Sequence, residues 1–422
     1  MQLSSTAPRV RIGDRNIYLV YGTIFLLGIA YGMAIALLPL ELDRRGFTER
    51  QMGTLASVFA LGIVALSLPM GSIVRRITPQ RTLLLALLGY AFTVGIFPVL
   101  NHIVPVALSR FADGAFSVGI WVSCETILLE RADKEHRAFV TSLYAMAMAI
   151  GYIVGPLLAR ALIAQVPSAY AFYAAAGMAT AAALVASRIT PRPVGAPDVH
   201  GEDAHASDPA AGASGEAPRL TSLQILSRTK TSCFATFAYG YFQAAVVLFL
   251  PLYLMREKGV PKNNTILVTA FFALGMLLFS NFAGQLGDRF GHLRVMRVLA
   301  VIGATMIAGF IYLPSFALMC AAVLVAGGTL APISPVSLAL QGVVTADRDL
   351  GRANGIYNAF YAVGMLVGPL VSSQIFQASG GAPMLLHFVG LWGCFVLFAW
   401  VYAKDDPRRR GEGFRSEKVA SV

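Results

Sequence analysis

Twelve apolar blocks alternate with short polar connections along the chain, at about 17–40, 50–74, 80–101, 103–129, 136–162 and 167–187, then 230–254, 263–287, 293–314, 316–345, 351–377 and 382–403. A run of about 20 apolar residues is what a helix needs to cross the hydrocarbon core of a bilayer. The runs are continuous rather than alternating, and that selects helices over a barrel. In lipid, each backbone N–H and C=O must be satisfied within the spanning element, which a helix does alone.

The blocks fall into two sets of six that resemble each other at an offset of 213. Phe59-Ala60-Leu61-Gly62 recurs as Phe272-Ala273-Leu274-Gly275. Gly71-x4-Arg76-x4-Arg81 recurs as Gly284-x4-Arg289-x4-Arg294. Tyr144-x6-Gly151-x3-Gly155-Pro156-Leu157 recurs as Tyr357-x6-Gly364-x3-Gly368-Pro369-Leu370. Leu38-Pro39-Leu40 matches Leu250-Pro251-Leu252 at an offset of 212. Four matches in one order indicate duplication. The expected fold is an all-α membrane protein of twelve transmembrane helices in two pseudo-symmetric six-helix bundles. Its expected layout is an N-tail (1–16), a first bundle (17–187), a linker (188–229), a second bundle (230–403) and a C-tail (404–422). In duplicated folds of this kind the substrate site lies near the membrane midplane between the halves, which rock against each other.

Composition agrees with this. The chain has 422 residues, 56% hydrophobic and 13% charged, against about 25% charged in soluble proteins. The net charge of +11 does not imply nucleic acid, because the basic residues sit in loops between the blocks. With twelve spans, 25 Lys and Arg fall on the side that carries both tails and the linker, and 7 on the other. By the positive-inside rule both termini are cytoplasmic. The first block follows a basic tail and is too long for a cleavable signal. The linker, with PRPVGAPDVHGEDAHASDPAAGASGEAPR, has the composition of a solvated segment, so His200 and His205 read as solvated residues. Cys124, Cys233, Cys320 and Cys394 all lie in apolar blocks without CxxC spacing, so neither a metal nor a disulfide is expected. No P-loop, GxSxG or HExxH occurs, so the chain reads as neither an enzyme nor an ATP-driven pump, and no cofactor is expected. A channel or a non-transporting sensor is the different class; the repeat, the lack of a filter segment and the short tails argue against both.

Ionisable residues inside spans are candidate functional groups. Span four carries Arg110, Asp113 and Glu125. Arg110, Ser117, Trp121 and Glu125 share an arc of about 80°, and Asp113 lies about 60° to the other side of Arg110. Arg110 can bind a substrate anion or a titrating acid, or form a structural pair with Asp113 at i, i+3. Glu125 lies about 22 Å further along the helix. It either carries a coupled proton, its carboxyl made basic by an apolar setting, or tethers loops at a wet mouth. In span eleven Asn354, Asn358 and Tyr361 lie within about 60°, with Tyr357 adjacent; they face a cavity or bond neighbouring helices. Tyr144, Tyr31, Tyr239 and Gln243 are further cavity candidates. Gly151, Gly155 and Pro156, with Gly364, Gly368 and Pro369, mark close helix packing and kinks.

The loops after spans two and eight resemble the signature loop of the major facilitator superfamily. The second copy, Gly284-Gln-Leu-Gly-Asp288-Arg289-Phe-Gly291-His-Leu-Arg294, fits well. The first, from Gly71 through Arg76 to Arg81, has Arg75 where the superfamily usually has Asp. The resemblance implies that this acid engages the start of span eleven and favours the outward-open state. With Asp347 and Asp349 just before span eleven, a reversed pairing with Arg75 or Arg76 is expected here. Arg110-Phe111-x2-Gly114-x6-Trp121-x3-Glu125-Thr126 and Asn354-x13-Gly368-Pro369 resemble the bacterial YcaD-like branch, which implies the bacterial inner membrane and a monomer. Gly151-x3-Gly155-Pro156 resembles the fifth-span motif of drug antiporters, but continues Leu157-Leu158-Ala159-Arg160 without that motif's paired glycines. The resulting expectation is secondary active transport of a small organic solute by alternating access, with proton coupling and efflux. Uptake or uniport of a sugar or organic acid is the alternative. The expected partners are the solute, protons and the lipid bilayer.

Overall fold

A computed structural model describes residues 14–132, 137–190, 220–346 and 349–405. The first half contains α1 (Arg15–Arg44), α2 (Glu49–Ile77), α3 (Pro79–Ile96), α4 (Ile103–Arg131), α5 (Arg137–Ile163) and α6 (Ser168–Ala186). The second contains α7 (Ser222–Arg256), α8 (Lys262–Thr265), α9 (Leu267–Phe290), α10 (His292–Phe310), α11 (Phe316–Leu330), α12 (Ile333–Val344), α13 (Leu350–Ser379) and α14 (Gly381–Val401). Twelve stretches are long and apolar enough to span a membrane, with α8–α9 and α11–α12 each acting as one. No strand occurs among the described residues. Residues 191–219, and with them His200 and His205, lie outside the description.

Helix ends follow local chemistry. Helix α7 starts at Ser222, eight residues before the expected 230, because Thr221 and Gln224 form a reciprocal capping box that nucleates an extra polar turn. The tenth span divides between α11 and α12 at Pro332, which has no N–H to continue the ladder. Asp14 caps α1 by accepting from the Asn16 N–H at 2.8 Å, and its other oxygen accepts from Arg131 at the end of α4 at 2.8 Å. Burial pushes the Asp14 carboxyl up, but the hydrogen bonds from Arg131 and Asn16 outweigh it and hold the group below 3.8. The turn from α2 to α3 passes through Thr78 at φ +80°, and the equivalent turn from α9 to α10 through Gly291 at φ +96°.

Each half is held by glycine-mediated crossings. A Cβ on Gly28 would lie 2.7 Å from the Met148 carbonyl, and one on Gly155 would lie 2.8 Å from the Gly32 Cα, so α1 and α5 touch backbone to backbone. Gly364 and Gly368 place α13 against the α7 backbone at Phe237 and Tyr241 in the same way. Between the halves, α2 packs on α13 and α5 on α9.

The polar links between the halves lie on the face away from the termini. Arg256 at the end of α7 donates to Asp43 and to Glu49. Ser57 donates to the Leu366 carbonyl at 2.7 Å, and Arg160 to Asn264 at 3.2 Å. On the same face, Glu41 is buried and accepts from Arg44, Arg45 and Ser168. Arg45 also donates to the Phe97 and Leu100 carbonyls at 3.0 and 2.5 Å, tying α1 to the α3–α4 turn. Lys258, its equivalent 213 residues on, donates to the Ile311 carbonyl at the matching turn. Nearer the termini the helix surfaces are more exposed. Gly284 and Gly355 meet open space where a side chain would stand, and Glu125, Asn354 and Asn358 are exposed.

Candidate functional site

A cavity of about 290 Å³ lies between the two halves, from the middle of the helices toward the face away from the termini. Arg110 and Asp113 of α4 line it and pair with each other. Both are largely buried, and the Arg110 guanidinium sits 4.4 Å from the centre of the Phe59 ring. Helix α4 can hold an ion pair at this depth because i and i+3 side chains stand on one face.

The pair is framed by aromatic residues. Tyr31 of α1 donates to Ser117, which in turn donates to the Asp113 carbonyl at 2.8 Å. The Tyr31 ring stacks on Tyr152 of α5 at 6.1 Å, lies 4.6 Å from Tyr90 of α3, and is 6.4 Å from Trp121. Across the cavity, Tyr361 of α13 donates to Gln243 of α7 at 2.8 Å and stacks with Tyr239. Several buried polar atoms around the cavity have no partner among the described residues: Asp113 Oδ1, Arg110 Nε, the Tyr90 hydroxyl and the Trp121 indole N–H. Buried polar groups in proteins are nearly always bonded, which marks these atoms as candidate contacts for a solute.

Of the candidates named from sequence, Arg110, Asp113, Tyr31, Trp121, Gln243 and Tyr361 line the cavity. Ser117 is fully buried behind it. Tyr239 supports Tyr361 from behind. Glu125 is exposed further along α4, toward the termini. Four further placements differ from the cavity-lining expectation. Tyr357 is buried and donates to the Ser334 carbonyl at 2.7 Å, bonding α13 to α12. Asn354 accepts from Gln341 at 2.7 Å on the same seam. Tyr144 is buried and outside the lining, and Asn358 is exposed on the stretch of α13 nearer the termini. The α12 residues offer Tyr357 and Asn354 closer partners than the cavity does. Tyr90, Tyr152 and Phe59 were not singled out, although Phe59 heads a repeated motif and Tyr152 directly follows Gly151.

The loop residues stand apart from the cavity. Arg75 and Arg76 end α2, are exposed, and form no ion pair among the described residues; Gly71 and Arg81 are exposed as well. Asp349 is buried at the start of α13, 3.7 Å from Arg352, and the expected pair with Arg75 or Arg76 is not formed among the described residues. Asp347 lies outside the described residues. In the second copy, Asp288 pairs with His292 at 3.2 Å, Arg289 lies over Phe290, Arg294 is exposed, and Gly284 and Gly291 bracket the loop.

The sequence profile of the Major Facilitator Superfamily matches residues 20–230 and again residues 232–422. The chain belongs to the major facilitator superfamily. Among curated relatives, an uncharacterized MFS-type transporter YcaD of Escherichia coli O7:K1 is 23% identical over 363 residues, 86% of this chain and 89% of the relative. The same protein of Shigella dysenteriae serotype 1 matches equally. Solved superfamily structures share the fold. The nucleoside transporter NupG superposes with a TM-score of 0.75 at 13% identity, over 93% of this chain and 100% of its own. A bacterial homolog of the human lysosomal transporter Spinster, in an inward-facing and occupied conformation, gives 0.71 at 14% identity, over 93% and 97%. This major facilitator protein is therefore a multi-pass membrane transporter rather than an enzyme.

Proposed function

We propose that this protein is a monomeric, proton-coupled carrier of the bacterial inner membrane that exports a small organic solute by alternating access. The observation that carries this is the cavity shared by the two halves. It holds a buried charge pair with free polar atoms and is shut on one face by Arg256. The basic bias assigns the tails, and so the open face, to the cytoplasm. The linker then joins the two bundles on that side.

Coupling is assigned to Glu125 of α4, with Asp113 held as the ionised partner of Arg110. Asp113 stands at the cavity, and Glu125 stands on the open side, where a proton from the cytoplasm reaches it first. Ionisable groups at membrane depth mark proton relays. Export is supported by the partial drug-antiporter motif at Gly151-x3-Gly155-Pro156.

Internal pH in energised inside-out vesicles tests this, with a panel of amphiphiles, sugars and organic acids and with Glu125→Gln beside wild type. Alkalinisation on adding one compound, abolished in the variant, is the expected result. Alkalinisation that survives the substitution takes Glu125 off the coupling path. Compound uptake with no proton signal refutes coupling.

A further inference from the structure

We propose that the cavity takes a net-neutral amphiphile: a flat apolar body bearing an uncharged head with a hydrogen-bond donor beside an acceptor, such as a carboxamide. This rests on the carrier reading above and specifies its substrate class.

The two halves place equivalent positions around the cavity but fill them with opposite chemistry. At the offset of 213, Arg110 corresponds to Val323, Tyr31 to Ala244 and Tyr152 to Met365, and all six line the cavity. Asp113 corresponds to Ala326 and Tyr90 to Gly303. Phe59 and Phe272, Ala34 and Val247, and Ile35 and Leu248 keep their apolar character. On the second wall the Gln243 side-chain oxygen accepts from Tyr361 and Thr269 donates to the Ile266 carbonyl at 2.8 Å, so fewer polar groups stand free there than on the first. The site therefore has a polar end on the first half and an apolar end on the second, and a solute satisfying both must itself be two-ended.

The polar end also specifies the head. Arg110 and Asp113 neutralise each other, so a head with a full charge would bring an unpaired ion into a desolvated site, a large penalty. The pair still offers Asp113 Oδ1 as acceptor and Arg110 Nε as donor, on either side of its own contact, with the Tyr90 hydroxyl nearby. A group that donates from one atom and accepts at the next satisfies both. Aromatic walls at Tyr31, Tyr152 and Phe59 favour a flat body.

The test uses four probes on purified full-length protein: 4-butylbenzamide, its N,N-dimethylamide, 4-butylbenzoate and 4-butylbenzyl-trimethylammonium. Titration calorimetry should show the primary amide binding about tenfold or more tighter than each of the others, the difference one lost buried hydrogen bond or an unpaired charge produces. Asp113→Asn leaves Arg110 uncompensated and should make the benzoate the preferred probe. Tyr90→Phe, a change that keeps the ring, should narrow the amide preference severalfold. Equal binding of all four, a charged probe preferred by wild type, or no probe bound overturns the head-group assignment. Counterflow in proteoliposomes separates this from the carrier reading. An amide that binds selectively but does not exchange sinks transport and leaves the class; a charged probe that exchanges in preference sinks the class and leaves transport.

Discussion

Asp43 and Arg256 occupy equivalent positions in the two halves, 213 residues apart, and they bond to each other. Residues related by a pseudo-twofold axis touch only where that axis passes between them, so this contact marks the pivot of the closed face. Duplication would first have placed the same residue at both positions. Opposite charges there turn the axis into an ion pair, reinforced by Glu49, which also accepts from Arg256. The side chains are about one-quarter to one-third exposed for the pair and less for Glu49. Solvent screening therefore limits the two links to about 1 kcal/mol together.

Arg256→Gln should accordingly raise the population opened on this face by roughly fivefold, since about 1 kcal/mol corresponds to that ratio. Spin labels at Arg50→Cys in α2 and Asn263→Cys in α8, in a background without other cysteines, report it as a second, longer distance. Exchanging the charges, Asp43→Arg with Arg256→Asp, should restore much of the closed population, because the axis treats the two positions alike. An unchanged distance distribution in Arg256→Gln would show that apolar packing alone seals this face.

Thr78 carries a strain that its counterpart avoids. At φ +80° a β-branched residue is unfavourable, while Gly291 adopts φ +96° freely. Both residues end one helix and begin the next, at the corner of the signature loop. Thr78→Gly should stabilise the protein by about 1 kcal/mol, seen as a higher unfolding midpoint in detergent. Gly291→Thr should lower the midpoint by a similar amount. A lower midpoint for Thr78→Gly would refute the strain assignment.

The α1–α5 crossing leaves no room for a methyl group. A Cβ at Gly155 would stand 2.8 Å from both the Gly32 Cα and the Met33 N, and backbone atoms cannot rotate away. Gly155→Ala should destabilise by about 1–3 kcal/mol, the range for overpacking. Gly177 has nothing within 4 Å of its would-be Cβ, so Gly177→Ala should be neutral or stabilising by up to about 1 kcal/mol through helix propensity. Paired thermal melts of the two variants check this; equal midpoints would contradict the close crossing.

What could be read from the chain alone was whatever one helix or one repeat determines. The spans follow from apolar length, the halves from the offset of 213, and the Arg110–Asp113 pair from i, i+3 geometry within a single helix. Gly151 and Gly155 were readable because close packing demands small residues wherever it occurs. Helical phase could not say which polar stripe faces water. Tyr357 and Asn354 share an arc with Tyr361, but the Ser334 carbonyl and the Gln341 side chain of α12 capture the first two and leave Tyr361 at the cavity. Tyr90 and Tyr152 reach the site only because the packing of α3 and α5 brings their rings onto Tyr31 of α1, and the Asp43–Arg256 contact exists only because the halves meet there. Local sequence sets which face of a helix is polar. The rotation and crossing of neighbouring helices, a property of the whole packed bundle, decide what that face meets.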